Sequence, residues 1–131
     1  MAALQKLFPS FPILVVDDDE ESLLALATTL RTIGITNLQT ISDSSVVPTM
    51  LGHRAFSLVL LDLNMPGLSG FEILEKATEL ACRPPFIIVT GSPPPFDFIN
   101  RLPSDVVGYL TKPVDRERLV GAVRSVLGGS R

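Results

Sequence analysis

The chain has 131 residues, of which 46% are hydrophobic and 19% charged, a composition typical of a folded domain and not of a disordered chain. Its net charge is -3 and its 11 basic residues form no run, which argues against a nucleic-acid-binding surface. The single Cys82 cannot form an internal disulfide, and neither a secretory signal nor an apolar stretch of roughly 20 residues is visible. We expect one cytoplasmic domain over residues 1–131, with a core from about residue 12 to residue 128 and no membrane contact.

Five short runs of residues predict the strands of a buried parallel sheet. Four of them consist mainly of Val, Ile, Leu and Phe, which is typical of strands that are buried on both faces. The second run is weaker, because it alternates apolar with polar residues. In chain order the runs are Ile13–Val16, Leu38–Ile41, Phe56–Leu61, Phe86–Val89 and Val106–Leu110.

Five helical segments alternate with these strands. In each, apolar residues recur at helical spacing between capping residues and Gly or Pro. The segments cover residues 23–33, 43–52, 69–81, 96–102 and 115–127. The fourth is short or partly irregular, because Pro93-Pro94-Pro95 and Pro103 flank it. The alternation predicts an α/β fold, a parallel sheet with helices on both faces joined by right-handed crossovers.

Polar residues occupy the carboxyl ends of four predicted strands. Asp17 and Asp18 follow the first strand, Asp62 the third, Thr90 the fourth and Lys112 the fifth. These ends lie side by side at the edge where open α/β sheets bind ligands. Carboxylates gathered there repel one another unless a cation intervenes, and oxygen ligands without His or Cys favour Mg²⁺. The pattern therefore predicts a magnesium site at this edge.

The same residues predict the transfer of a phosphoryl group to a carboxylate. Asp62 can act as the nucleophile, Lys112 can place a positive charge beside the phosphoryl oxygens, and Thr90 can donate from its hydroxyl. Each residue also has a plainer explanation. Asp17 and Asp18 could cap the first helix, and Asp62 could cap the following loop or helix. Thr90 could bond the backbone, and Lys112 could be solvated. Their occurrence together on four strand ends favours the phosphoryl site.

Four motifs at this edge resemble those of the response-regulator receiver domains of two-component signalling, the CheY-like domains. They are Val15-Val16-Asp17-Asp18, Asp62-Leu63-Asn64-Met65-Pro66-Gly67 through Gly70, Val89-Thr90-Gly91, and Tyr109-Leu110-Thr111-Lys112-Pro113. The resemblance runs from about residue 13 to residue 127. It implies a flavodoxin-like three-layer sandwich whose five strands have the order 2-1-3-4-5.

The resemblance also implies a role for each site residue. Asp62 is the phosphoacceptor, and it takes a phosphoryl group from a histidine kinase or a phosphotransfer protein. Lys112 pairs with the phosphoryl group, Thr90 turns toward it, and Tyr109 changes rotamer with Thr90. The peptide bond between Lys112 and Pro113 is often cis in this family. Mg²⁺ is held by three carboxylates and one backbone carbonyl, those of Asp17, Asp18, Asp62 and Asn64.

Such a domain catalyses its own phosphorylation and dephosphorylation without being a conventional enzyme, and it signals to an output domain or a downstream protein. A phosphorylation-dependent homodimer is a further possibility. Two features depart from the family pattern. Gly91 stands where Ala is usual, and Pro93-Pro94-Pro95 with Pro103 replace the usual longer fourth helix. We therefore expect the face beside that helix to differ from the common output surface.

Alternative functions are open at this stage. A Mg²⁺-dependent phosphatase or phosphotransferase would also use an Asp nucleophile, but such enzymes usually carry a second Asp two residues on, where this chain has Asn64. A binding module that has lost phosphorylation is disfavoured, because every acceptor-site residue is present. A nucleotide-binding domain is disfavoured too, because no Gly-x-Gly-x-x-Gly motif follows the first strand.

Overall fold

The computed structural model of the chain describes residues 9–91, 103 and 105–128. Strands and helices alternate through them, and a 3₁₀ turn at Ser44–Val46 leads into the second helix. In order, the elements are β1 (Ile13–Val16), α1 (Glu20–Thr32), β2 (Leu38–Ile41), α2 (Val47–His53), β3 (Leu58–Leu61), α3 (Gly70–Ala77), β4 (Phe86–Thr90), β5 (Val106–Thr111) and α4 (Arg116–Leu127). The predicted helical segment at residues 96–102 and the lead-in residues 1–8 lie outside the described residues.

The five strands form one parallel sheet in the order β2-β1-β3-β4-β5, which confirms the predicted fold class. At the centre, Val16 of β1 lies opposite Ile41 of β2 on one side and Leu61 of β3 on the other. The strands β1, β2 and β3 therefore end level with one another. Because all strands run the same way, the residues that follow each of them meet at one edge.

The sheet is buried on both faces, as its continuous apolar runs predict. Alternate strand residues point to opposite faces and build two separate cores. One core joins the sheet to α2 and α3 through Val47, Leu51, Ile73, Leu74 and Ala77. The other joins it to α1 and α4 through Leu23, Leu26, Leu30, Leu119 and Val123. The result is the three-layer arrangement, with helices on both faces of the sheet.

Capping residues fix where two of the helices begin. The Asp19 side chain accepts a hydrogen bond from the Glu21 N–H and caps α1, so neither Asp17 nor Asp18 is the cap of that helix. At the start of α3, Ser69 and Glu72 form a capping box, with bonds of 2.9 and 3.2 Å.

Every helix among the described residues is too short or too polar to cross a bilayer.

Candidate functional site at the carboxyl edge of the sheet

The predicted acidic residues come together at the carboxyl edge of the sheet. Asp17 follows β1 directly and Asp62 follows β3 directly, so the register of these central strands places the two carboxylates beside each other. One carboxylate oxygen from each of Asp17, Asp18 and Asp62 lies within 4.8 Å of the others. Asp17 and Asp62 are buried, with exposed fractions of 1% and 5%, whereas Asp18 is exposed. We call these three residues the acidic cluster.

Lys112 reaches into the acidic cluster from the loop after β5. Its Nζ donates to Oδ2 of Asp17 in a short hydrogen bond and to Oδ2 of Asp62 at 3.3 Å. One lysine therefore joins two buried carboxylates that would otherwise repel each other. The plainer explanation of Lys112 as a solvated lysine does not hold, because its ammonium group contacts two buried carboxylates and only 22% of its side chain is exposed.

The protonation of these groups follows from burial and charge. Burial raises the pKa of Asp17 above its ordinary value, and the charge of Asp62 acts in the same direction. Hydrogen bonds from Lys112 and from the Asp19 N–H oppose this rise in the pKa without cancelling it. Burial lowers the pKa of Lys112, but the hydrogen bond and charge of Asp17, followed by those of Asp62, outweigh burial and raise it overall. The raised pKa favours the charged form of Lys112.

Backbone groups orient the two buried carboxylates. The Asp19 N–H donates to Oδ1 of Asp17 at 2.9 Å, and the Asn64 N–H donates to Oδ1 of Asp62 at 3.1 Å. The second bond is the loop-capping role considered for Asp62 in the sequence. Asp62 thus has both roles, since its Oδ1 organises the loop while its Oδ2 faces Lys112.

Glycines allow the loop after β3 to pack tightly against the site. Gly67 has a φ of 77°, a left-handed conformation that side chains disfavour. Gly70, the first residue of α3, lies so close to the strand end that a Cβ there would be 2.3 Å from the backbone oxygen of Asp62 and 2.7 Å from Cα of Leu63. The amino end of α3 therefore packs directly against the backbone of Asp62.

Thr90 ends β4 at the same edge and is fully buried. Its Oγ1 accepts a hydrogen bond from the side-chain amide of Asn64 at 3.2 Å, and its carbonyl accepts one from the Lys112 N–H at 2.9 Å. The sequence analysis missed this contact of the Asn64 side chain. No periodicity or motif indicates it, because it depends on how one side chain is turned.

Tyr109 lies on β5, opposite Ile88 of β4, and it packs against the core that includes α2 and α3. Its hydroxyl is buried without a hydrogen-bond partner among the described residues, and burial raises the pKa of the phenol. Within the described part of the chain its hydroxyl makes no hydrogen bond to the acidic cluster, so its switch role stays a prediction. The Lys112–Pro113 peptide bond is cis, as the resemblance implied.

The donor set of the acidic cluster suits a hard divalent cation. The cluster offers only carboxylate oxygens, and within the described residues no His or Cys side chain shares it. Such ligands favour Mg²⁺ over Zn²⁺. Two of the three carboxylates are buried and the third is exposed.

Sequence comparison gives a family match over most of the chain. The family model described as the response regulator receiver domain matches residues 13–124. The chain is 30% identical over 115 residues to the response regulator protein TmoT of Ectopseudomonas mendocina, a match that covers 88% of this chain and 52% of TmoT. It is 28% identical over 116 residues to the chemotaxis protein CheY of Pseudomonas aeruginosa, which covers 87% of this chain and 94% of that protein. The chain thus spans about half the length of TmoT and nearly all of CheY.

Structural comparison agrees with the sequence match. A CheY-like receiver domain of Methanospirillum hungatei superimposes with a TM-score of 0.79 at 27% identity, covering 89% of this chain and 93% of that one. The receiver domain of the Francisella response regulator 1452 superimposes with a TM-score of 0.80 at 24% identity, covering 94% of this chain and 99% of that one. The second likeness concerns the fold alone.

Proposed function

The chain belongs to the response-regulator receiver domain family, and from this premise we propose that Asp62 is its phosphoacceptor, loaded by a histidine kinase or a phosphotransfer protein. The observation that carries the proposal is the contact of Lys112 with both Asp17 and Asp62 inside a buried acidic cluster. This arrangement places a fixed positive charge beside a carboxylate, where a transferred phosphoryl group would carry its negative charge.

The groups that would hold a metal ion are the carboxylates of Asp17, Asp18 and Asp62, which lie together in the acidic cluster, and the backbone carbonyl of Asn64, which the family resemblance adds. A bound Mg²⁺ would offset the negative charge on the phosphoryl oxygens during transfer. Residues of this chain hold the reacting groups in position. The backbone N–H of Asn64 holds the Asp62 carboxylate in one orientation, and the hydrogen bond of Lys112 keeps its ammonium group within reach of the acceptor oxygen.

In the transfer, a lone pair of an Asp62 carboxylate oxygen forms a bond to phosphorus. The bond from phosphorus to the donor imidazole nitrogen breaks, and its electron pair stays on that nitrogen. Lys112 then faces a phosphoryl group instead of a carboxylate alone, and Thr90 can donate its hydroxyl proton to a phosphoryl oxygen. The changed positions of Thr90 and Tyr109 would pass the signal to an output domain, to a downstream protein or to a second copy of the chain.

In this proposal the described residues form one receiver domain. The chain has a single cysteine, the free Cys82, and this fits a cytoplasmic location. The alternative of a Mg²⁺-dependent phosphatase has no support from the family match or from the relatives named above. Asn64 occupies the position where such enzymes usually carry an acidic residue, and its amide is bonded to Thr90.

Intact-mass spectrometry after incubation with acetyl phosphate and Mg²⁺ tests the proposal. We expect the wild type to gain the mass of one phosphoryl group, and we expect no gain after chelation of Mg²⁺ or in the Asp62→Asn variant. Asp105→Asn is a matched control, because this carboxylate lies before β5, at the other edge of the sheet, and pairs with Arg83. A phosphoryl gain in the Asp62→Asn variant would show that the acceptor lies elsewhere.

A further inference from the structure

The hydroxyl of Thr90 is withdrawn from water and has a single hydrogen bond to the described residues. Thr90 has an exposed fraction of 0%, and its Oγ1 accepts from Nδ2 of Asn64 at 3.2 Å. A buried hydroxyl without a partner is unfavourable, so this bond stabilises the position that Thr90 now occupies.

The backbone of Thr90 is held independently of that bond. It is the last residue of β4, it lies opposite Thr111 in the sheet, and its carbonyl accepts the Lys112 N–H at 2.9 Å. A change in the position of the hydroxyl therefore requires rotation of a β-branched side chain, which has few allowed rotamers. The hydroxyl is thus expected to occupy discrete positions, each set by the partner that it finds there.

The hydrogen bond from Asn64 to Thr90 can break without disturbing the core. The residue is exposed, and its backbone N–H is separately bonded to Oδ1 of Asp62 at 3.1 Å. Its side chain thus links the switch hydroxyl to the loop of the acceptor, while its backbone orients the acceptor itself. Truncation of the Asn64 side chain removes the hydrogen bond to Thr90 and keeps the backbone hydrogen bond to Asp62.

We propose that Asn64 is a positioning residue that holds Thr90 in the unphosphorylated conformation, so that its amide sets how readily the domain switches. This inference rests on the proposed function of Asp62. A phosphoryl group on Asp62 offers the Thr90 hydroxyl a charged acceptor, and charge-assisted hydrogen bonds are stronger than neutral ones. The hydroxyl reaches that acceptor by rotation of the Thr90 side chain, which carries Oγ1 away from the amide of Asn64, so the amide favours the unphosphorylated state alone. A group that stabilises one of two states lowers the population of the other.

Binding of beryllofluoride with Mg²⁺, as a stable mimic of the phosphoryl group, measures this bias. The Asn64→Ala variant should bind it about fivefold more tightly than the wild type, in line with the loss of one modest hydrogen bond from the unphosphorylated state. The same substitution in a Thr90→Val background should leave the affinity unchanged, because no hydroxyl remains to be held. Asn37→Ala is the control, an exposed Asn just before β2, at the opposite edge of the sheet.

A second measurement is made on the metal-free protein and uses the loaded wild type only as its reference. In the metal-free protein, the methyl resonance of Thr90 should shift in Asn64→Ala toward its position in the beryllofluoride-loaded wild type. An affinity that falls or stays the same in Asn64→Ala, or that rises equally in the Thr90→Val background, would overturn the inference. A wild type that binds no beryllofluoride would instead overturn the proposed function of the site.

Discussion

In the proposed site, Lys112 and a divalent cation would compete for the same carboxylate. The Asp17 side chain is the closer partner of Lys112 and is also one of the proposed metal ligands. Lys112 therefore lowers the net negative charge that would attract a metal ion, while it supplies the charge needed beside a phosphoryl group. In the proposed function, the site would therefore balance metal affinity against the stabilisation of the phosphoryl group.

Replacement of Lys112 by Met should raise the affinity for Mg²⁺ by about tenfold, because a nearby positive charge is lost while the length of the side chain is kept. Isothermal titration calorimetry measures the change directly. Lys76→Met, in the last turn of α3, is a control on an exposed lysine. Equal or weaker Mg²⁺ binding by Lys112→Met would show that the ammonium group does not compete with the metal.

Gly70 is required by the close approach of α3 to the backbone of Asp62. Gly70→Ala should lower the free energy of unfolding by about 2 kcal/mol or more, because backbone atoms must move to admit the methyl group. Gly121→Ala is the matched control, since a Cβ on this exposed residue of α4 meets no described atom within 4 Å. It should raise the stability by up to about 1 kcal/mol.

Urea unfolding of the two variants at one pH measures both effects. The Asp62 site should also be disturbed in Gly70→Ala, so its phosphorylation by acetyl phosphate should slow, whereas Gly121→Ala should react like the wild type. A Gly70→Ala protein as stable and as reactive as the wild type would show that α3 can move away from Asp62 at little cost.

At the scale of single elements, the strands were more predictable than the helix ends. β1 and β2 have the predicted limits, and β4 and β5 each extend one residue further. β3 begins two residues later than predicted, at Leu58, and Phe56 packs into the core from the preceding loop. Strand limits follow from burial, which the apolar runs report directly.

The starts of helices depend on caps, which apolar spacing does not report. The apolar pattern marks the buried face of α1 from Leu23, yet the helix begins three residues earlier, at Glu20. Its cap is Asp19, one of five consecutive acidic residues, and nothing in the sequence alone distinguishes it from Asp17 or Asp18 as the cap. Side-chain direction decides between them, and Asp17 points into the acidic cluster instead.

The cap of the 3₁₀ turn before α2 makes the stability of this element depend on pH. The Asp43 carboxylate accepts hydrogen bonds from the side chain and the backbone N–H of Ser45, and both lower the pKa of Asp43 below its usual 3.8. A lowered folded-state pKa adds stability above the unfolded-state pKa, and that stability is lost as the pH falls through the folded-state value.

Asp43→Asn should therefore remove part of the loss of stability that the wild type shows on acidification from about pH 5 to pH 3. Chemical unfolding at a series of pH values measures this difference. The matched control is Asp115→Asn, because Asp115 is the N-cap of α4 without a side-chain hydrogen bond to that helix. If both substitutions change the pH dependence of stability equally, the hydrogen bonds from Ser45 to Asp43 are not the cause of that dependence.

At the scale of the whole molecule, the sequence was sufficient to predict that the site residues converge. Asp17, Asp62, Thr90 and Lys112 follow or end different strands, and a parallel sheet brings those positions to one edge. The sequence could not predict which side chains touch there. The bonds of Lys112 to two carboxylates and of Asn64 to Thr90 depend on rotamers, which strand order does not determine.

The molecule therefore has a packed framework and a small set of reacting side chains. Two packed cores fix the strand ends, and the chemistry depends on a few side chains that the strands carry to the edge. Three carboxylates lie within 4.8 Å of one another, so the central claim is that Asp62, rather than Asp17 or Asp18, receives the phosphoryl group.

Reduction of the phosphorylated protein with borohydride, followed by peptide sequencing in a mass spectrometer, tests this claim most directly. The reagent converts an aspartyl phosphate to homoserine and thereby marks the residue that carried the phosphoryl group. We predict homoserine at position 62 and unchanged aspartate at positions 17 and 18. Homoserine at position 17 or 18, with aspartate retained at position 62, would contradict the account.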